Sequence, residues 1–194
     1  VPDHPVINPI LKLAKEYGYT ALAITDENNM FGVMEFYNEC KNNDIKPIIG
    51  IELTFDNNKL LLYAKNEKGY KNLIKLSTLK SKEELNINSL KEYNDNLILI
   101  MPFSFFNEEI FNLYENKYIG YYNDELEKSN KIKLYETCYL YEEEYTYLDY
   151  AKMIEEGKVL GEYELNKDKY KYLRKELNYT KEEQEIVDYI VESC

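Results

Sequence analysis

The sequence holds a single histidine, His4, a single arginine, Arg174, and no tryptophan. One imidazole leaves no second histidine to act as base beside a cysteine, and none to complete a mixed histidine and carboxylate zinc site. One guanidinium nearly removes bidentate recognition of phosphate or guanine. Cys40, Cys138 and Cys194 are an odd number at wide spacing without a CxxC pair, so neither a disulfide framework nor a zinc ribbon is expected, and a reducing cytoplasm fits. The apolar runs are strand-sized and stay well below the roughly 18 residues that a membrane span needs. No basic-then-apolar leader opens the sequence, and no membrane partner is expected. P-loop, GxGxxG and GxSxG patterns are also missing.

What remains is substantial. The 194 residues are 44% hydrophobic and 14% aromatic, enough to bury the core of a globular domain. Acidic residues outnumber basic ones, 36 against 24, for a net charge of −12. That balance opposes a broad electrostatic grip on DNA phosphates or anionic lipid.

Hydrophobic periodicity alternates between helix and strand. Ile7, Ile10, Leu11, Leu13 and Ala14 predict a helix over about Asn8 to Tyr17, stopped by Gly18, and Ala21 to Thr25 predict a buried strand. Phe31, Val33, Met34, Phe36, Tyr37 and Cys40 predict a helix over Asn29 to about Asn43, followed by a strand over Pro47 to Phe55. Asp56-Asn-Asn58 signals a turn into a strand over Lys59 to Ala64, a possible hairpin. Helices are expected at Glu67 to Leu79 and Lys82 to Tyr93, and a strand over Asn96 to Met101 closed by Pro102. Weaker alternation follows: helices near Glu108 to Glu115 and Glu125 to Ser129, strands near Tyr118 to Tyr122 and Ile132 to Thr137. From about Tyr147 onward helical patterning dominates. The whole predicts an α/β architecture with largely parallel strands covered by helices.

The densest chemistry lies in Ile24-Thr-Asp-Glu-Asn-Asn-Met-Phe-Gly32, where a strand ends in carboxylates and amides. Glu52 follows Gly50 on the next strand, and a later one carries Glu136 and Cys138. Strand ends in α/β folds are where loops converge on ligands, so Asp26, Glu27, Glu52 and Glu136 could gather hard oxygen ligands for Mg²⁺, Mn²⁺ or Ca²⁺. The competing reading is that these carboxylates cap helices, with Asp26 a natural N-cap. Cys138 lacks a histidine base and reads as a structural thiol, while His4 reads as a solvated terminal residue. The run Tyr135 to Tyr150, interleaved with Glu142-Glu-Glu144, lacks the basic partners of a nucleic-acid stacking platform.

At these residues the sequence resembles a known family, the polymerase and histidinol phosphatase (PHP) domain found at the N-terminus of bacterial DNA polymerase III alpha subunits. Leu11 to Tyr37 is similar to that family's signature region, and Ile45-Lys-Pro-Ile-Ile-Gly-Ile-Glu52 to the next one. Ala64 to Ser77 resembles a stretch typical of the polymerase branch, and Glu182 to Cys194 the helical segment that closes the domain. The resemblance implies a PHP-type distorted (β/α)7 barrel with a helical C-terminal part. On that reading residues 1–194 form a single domain, about 1–140 being the barrel portion and about 141–194 a mainly helical closing segment.

Active members of the family hold a metal cluster through histidines and carboxylates, beginning with a His-x-His strand, and this sequence starts at about the loop that follows it. The family's Thr-Asp-His stands here as Thr25-Asp26-Glu27, and its Gly-x-Glu as Gly50-Ile51-Glu52. Tyr135-Glu136-Thr137-Cys138-Tyr139 takes the place of an Asn-Asp-x-His-Tyr pattern, and Leu97 to Phe103 has no counterpart of the middle histidine or cysteine motif. Exchanging imidazoles for carboxylate and thiol removes the preference for zinc-like metals. The expectation is a catalytically inert, metal-free scaffold. Asp26, Glu27, Glu52, Glu136 and Cys138 are its vestigial site positions. Its partners would be the other domains of the alpha subunit and other replisome proteins, with DNA and Mg²⁺ engaged only by the parent polymerase. The alternative is a divergent metal-dependent phosphoesterase or nuclease using Mg²⁺ or Mn²⁺ at the carboxylates.

Overall fold

Residues 7–122, 128–155, 157, 159 and 171–194 are described here from a computed structural model. Six strands form one sheet in chain order: β1 (Ala21–Ile24), β2 (Lys46–Phe55), β3 (Asn58–Ala64), β4 (Leu97–Pro102), β5 (Asn116–Tyr121) and β6 (Lys131–Lys133). The β1/β2, β4/β5 and β5/β6 pairs are parallel, and β3 runs antiparallel to both β2 and β4. Parallel neighbours need a crossover, supplied by α2 (Val33–Asn42) before β2 and by α5 (Glu108–Phe111) before β5. This is the mixed α/β, helix-flanked and largely parallel sheet expected of a PHP-type barrel.

The antiparallel step is a hairpin written in two residues. Asp56 and Asn57 adopt left-handed φ values of 46° and 60°, the conformation a two-residue turn between twisted strands requires and that Asp and Asn tolerate. The turn sets Phe55 opposite Asn58, which fixes every later pair of β2 and β3.

Alternation along β2, β3 and β4 then builds two apolar layers. One face carries Ile51, Leu53, Leu60, Leu62, Leu97 and Leu99 against Leu73 and Leu76 of α3 (Glu67–Ser81) and Leu90 of α4 (Ile87–Glu92). The opposite face carries Ile48, Leu61, Tyr63, Ile98 and Ile100 against Ile186 and Ile190 of α7 (Lys181–Ser193). Covered on both sides, β4 is buried at every residue, which is why it reads as an unbroken apolar run. Removing a fully buried leucine such as Leu62 is worth about 2–5 kcal/mol in transfer and cavity terms.

Caps fix the helix ends. The Asn66 side chain accepts from the Lys68 and Gly69 amides at the start of α3. Gly69 lets that first turn press on the chain entering β4, since a Cβ there would lie 2.3 Å from the Asn96 carbonyl oxygen. At α7, Thr180 and Glu183 form a reciprocal capping box.

The chain packs as two compact units, Thr20–Leu134 with Asn178–Cys194, and Val1–Tyr19 with Tyr135–Leu177. The first contains the sheet. The second contains α1 (Ile7–Glu16), closed by Gly18 at φ +81°, and α6 (Tyr145–Glu155). In it the lone arginine is held internally: the Arg174 guanidinium lies over the rings of Tyr135 and Tyr172, 5.2 and 5.3 Å from their centroids. The Tyr19 hydroxyl donates to the Arg174 carbonyl at 2.8 Å.

Several elements are shorter than their patterns suggest. The helix expected over Lys82 to Tyr93 is only α4, because Glu83 adopts φ +60° and Asn86 caps a new start. The helix expected to Glu115 ends at Phe111, and the strand expected to Thr137 ends at Lys133. Residues 171–179 carry no helix within the helical-patterned last third. The helix expected near Glu125 to Ser129 falls mostly outside the described residues, as does His4.

Candidate strand-end carboxylate site

The site is built where β1 gives way to loop beside β2. Beyond Ile24 the backbone keeps pairing: the Glu52 amide donates to the Asp26 carbonyl at 3.1 Å, and the Asn28 amide donates to the Glu52 carbonyl at 2.8 Å. A parallel bridge between Glu27 and Glu52 results. Gly50, two residues earlier, sits against β3 so closely that a Cβ would lie 2.7 Å from the Leu62 carbonyl oxygen and 2.8 Å from Cδ1 of Tyr63. Asp26, Glu27 and Glu52 are thus neighbours in one unit, where the chain leaving β1 runs beside the interior of β2.

Asn28 locks this end. Its φ of 56° turns the chain out of the strand. Its Oδ1 accepts from the Thr54 amide and its Nδ2 donates to Thr54 Oγ1, both at 2.9 Å. Ser77 Oγ of α3 donates to its carbonyl at 3.0 Å. Asn29 turns the next residues, its Oδ1 accepting from the Phe31 amide at 3.1 Å. Helix α2 begins only at Val33, with Gly32 at its N-cap and no side-chain cap. The expected helix start at Asn29 and the reading of Asp26 as its cap are therefore corrected: the Asn28–Asn29 turns occupy the residues that the helical stripe claimed.

The carboxylates differ in surroundings. Glu27 is exposed and Asp26 half-buried. Glu52 is 14% exposed in its side chain and pairs with Lys59 Nζ at 2.7 Å. Lys59 and Glu52 meet diagonally across the hairpin, since Lys59 opposes Thr54 and Leu61 opposes Glu52. Nearby, burial drives the Tyr63 hydroxyl well above its ordinary range, so it stays a neutral phenol.

Glu136 and Cys138 belong to the other unit. Glu136 pairs with Lys171 at 3.0 Å and accepts a long 3.7 Å contact from Cys138 Sγ. The Cys138 amide donates to the Lys171 carbonyl at 2.7 Å, and Tyr139 bridges Tyr172. This stretch is a tether between two chain segments. Burial raises the thiols of Cys40 and Cys194 to about 11, so neither is a thiolate at neutral pH.

The family's metal can be tested against these donors. Glu52 already meets an ammonium, and Glu136 meets another. Among the described residues no group of three or more His, Cys, Asp or Glu side chains is arranged to hold a metal ion. Each already held by a lysine, these carboxylates do not fit the histidine and carboxylate cluster that the resemblance implies.

Lys59, Thr54 and Ser77 are not marked as site residues by the sequence, and Asn28 is marked only as one amide of the Asp-Glu-Asn-Asn run. Lys59 had a usable signal, because the Asp56-Asn57 turn fixes the hairpin register and so its diagonal reach to Glu52. Ser77 had none, since only tertiary packing brings α3 to the loop.

Comparison with known proteins places the chain among relatives of one kind. The chain is 39% identical over 108 residues to the DNA polymerase III subunit alpha of Halalkalibacterium halodurans, covering 50% of this chain and 10% of that protein. Against the Aquifex aeolicus subunit it is 38% identical over 120 residues, covering 48% and 10%. Against the Chlamydia trachomatis subunit it is 46% identical over 88 residues, covering 38% and 7%. The chain thus spans a tenth or less of the length of these relatives. The family described as "PHP domain" matches residues 5–182, and the chain belongs to it.

Proposed function

We propose that this chain is the PHP region of a bacterial replicative DNA polymerase III alpha subunit and serves there as a metal-independent scaffold, its two units forming a single domain. The observation that carries this reading is Glu52, whose carboxylate is neutralised by Lys59 at 2.7 Å instead of being left open for a metal. Asp26, Glu27, Glu52, Glu136 and Cys138 are then vestigial site positions, none of them catalytic. The scaffold supports the remaining polymerase domains and offers a surface to other replisome proteins in the cytoplasm. Its net charge of −12 suits a part that leaves DNA to the rest of the parent, as it leaves the Mg²⁺-dependent polymerisation.

A phosphoesterase assay on the full chain with added Mn²⁺ or Mg²⁺ tests the reading. The expected result is hydrolysis no faster than the protein-free blank. Turnover that disappears in Glu52→Ala would instead establish a divergent phosphoesterase.

A further inference from the structure

Glu52 lies on the sheet face it shares with Leu61 and Tyr63, with little of its side chain in water. Its main chain is fixed by Asp26 and Asn28 through the bridge to Glu27. A carboxylate so placed is costly unless a positive group meets it. The hairpin delivers that group. Because Phe55 pairs with Asn58, Lys59 falls on the same face as Glu52 and reaches it diagonally; a shift of one residue would turn Lys59 to the other face.

We propose that the Lys59 ammonium is the resident cation of this strand-end site, meeting the charge on Glu52 that a divalent metal would otherwise meet and thereby excluding such an ion. This rests on the metal-independent reading above and adds to it that the ammonium and a divalent ion compete for the same carboxylate. The substitution is chemically one-sided. An ammonium brings one positive charge and three hydrogen-bond donors, but no open coordination position and no acidified water. It keeps the strand end neutralised while removing the means of hydrolysis.

Thermal melting of the parent chain, Lys59→Met, Glu52→Gln and the double variant, each with and without Mn²⁺, tests the inference. Lys59→Met keeps the side-chain bulk and is expected to melt about 2–4 °C below the parent. The double variant is expected to recover part of that loss, and Lys59→Arg, which keeps the charge, to melt close to the parent. Mn²⁺ is expected to raise the melting temperature of Lys59→Met more than that of the parent. Strictly additive effects of the two substitutions, or an equal Mn²⁺ shift in parent and Lys59→Met, would overturn the proposal. Failure of the underlying reading registers separately, as Mn²⁺-dependent phosphoester turnover by the parent, whatever the melting cycle gives.

Discussion

Asn28 combines two demands in one residue: a backbone φ of 56° and an amide that bonds Thr54 twice. The two can be separated. Asn28→Gly keeps the left-handed conformation and loses only the amide bonds, whereas Asn28→Ala also takes on the left-handed penalty of about 1–2 kcal/mol. Urea unfolding is expected to rank the stabilities parent, then Gly, then Ala. Tyr114 makes the opposite case, since its buried hydroxyl has no hydrogen-bond partner among the described residues and burial holds it neutral well above its ordinary range. Tyr114→Phe is expected to be neutral or to stabilise by up to about 1 kcal/mol in the same measurement. Of these residues, the sequence marks the loop through its Asp-Glu-Asn-Asn run but not which amide does the locking. That choice depends on Thr54 arriving beside the loop from a strand 26 positions away.

Among the elements, α7 is held by its first turn. Thr180 Oγ1 accepts from the Glu183 amide, the Glu183 carboxylate accepts from the Thr180 amide at 2.8 Å and from the Tyr121 hydroxyl at 2.5 Å. Thr180→Ala is expected to cost about 1 kcal/mol by urea unfolding. Burial by itself would raise the Glu183 carboxyl, but the hydrogen bonds from Tyr121 and Thr180 and the charge of Lys131 outweigh it and lower the pKa. A carboxyl lowered on folding contributes stability that is present above its unfolded pKa and is lost as the pH falls below about 4.5. The stability gap between the parent and Glu183→Gln is therefore expected to be wider at about pH 7 than at about pH 3, read by denaturant melts at each pH. The element order of the first hundred residues was legible because β2, β3 and β4 are covered on both faces and announce themselves as apolar runs. Helix lengths were not, because Glu83 at φ +60° and the Asn28–Asn29 turns end or delay helices without interrupting the apolar stripe.

At the scale of the whole molecule, the scarcity of histidine and the acidic charge acquire a structural meaning. Two of the carboxylates that the motifs single out each meet a lysine within their own unit: Glu52 meets Lys59 across the hairpin, and Glu136 meets Lys171 in the other unit. The carboxylate positions were readable from the motifs, whereas their lysine partners come from strand register and from residues 35 positions apart, which motif spacing does not express. Among the described residues no helix is long and apolar enough to cross a membrane. The proposed scaffold binds no metal at its carboxylates. This is tested most directly by elemental analysis of the full chain after incubation with Mn²⁺ and Zn²⁺ and removal of unbound ions. Metal far below one equivalent per chain is expected in the parent and in Glu52→Ala alike. A stoichiometric ion in the parent that is lost in Glu52→Ala would contradict the proposal.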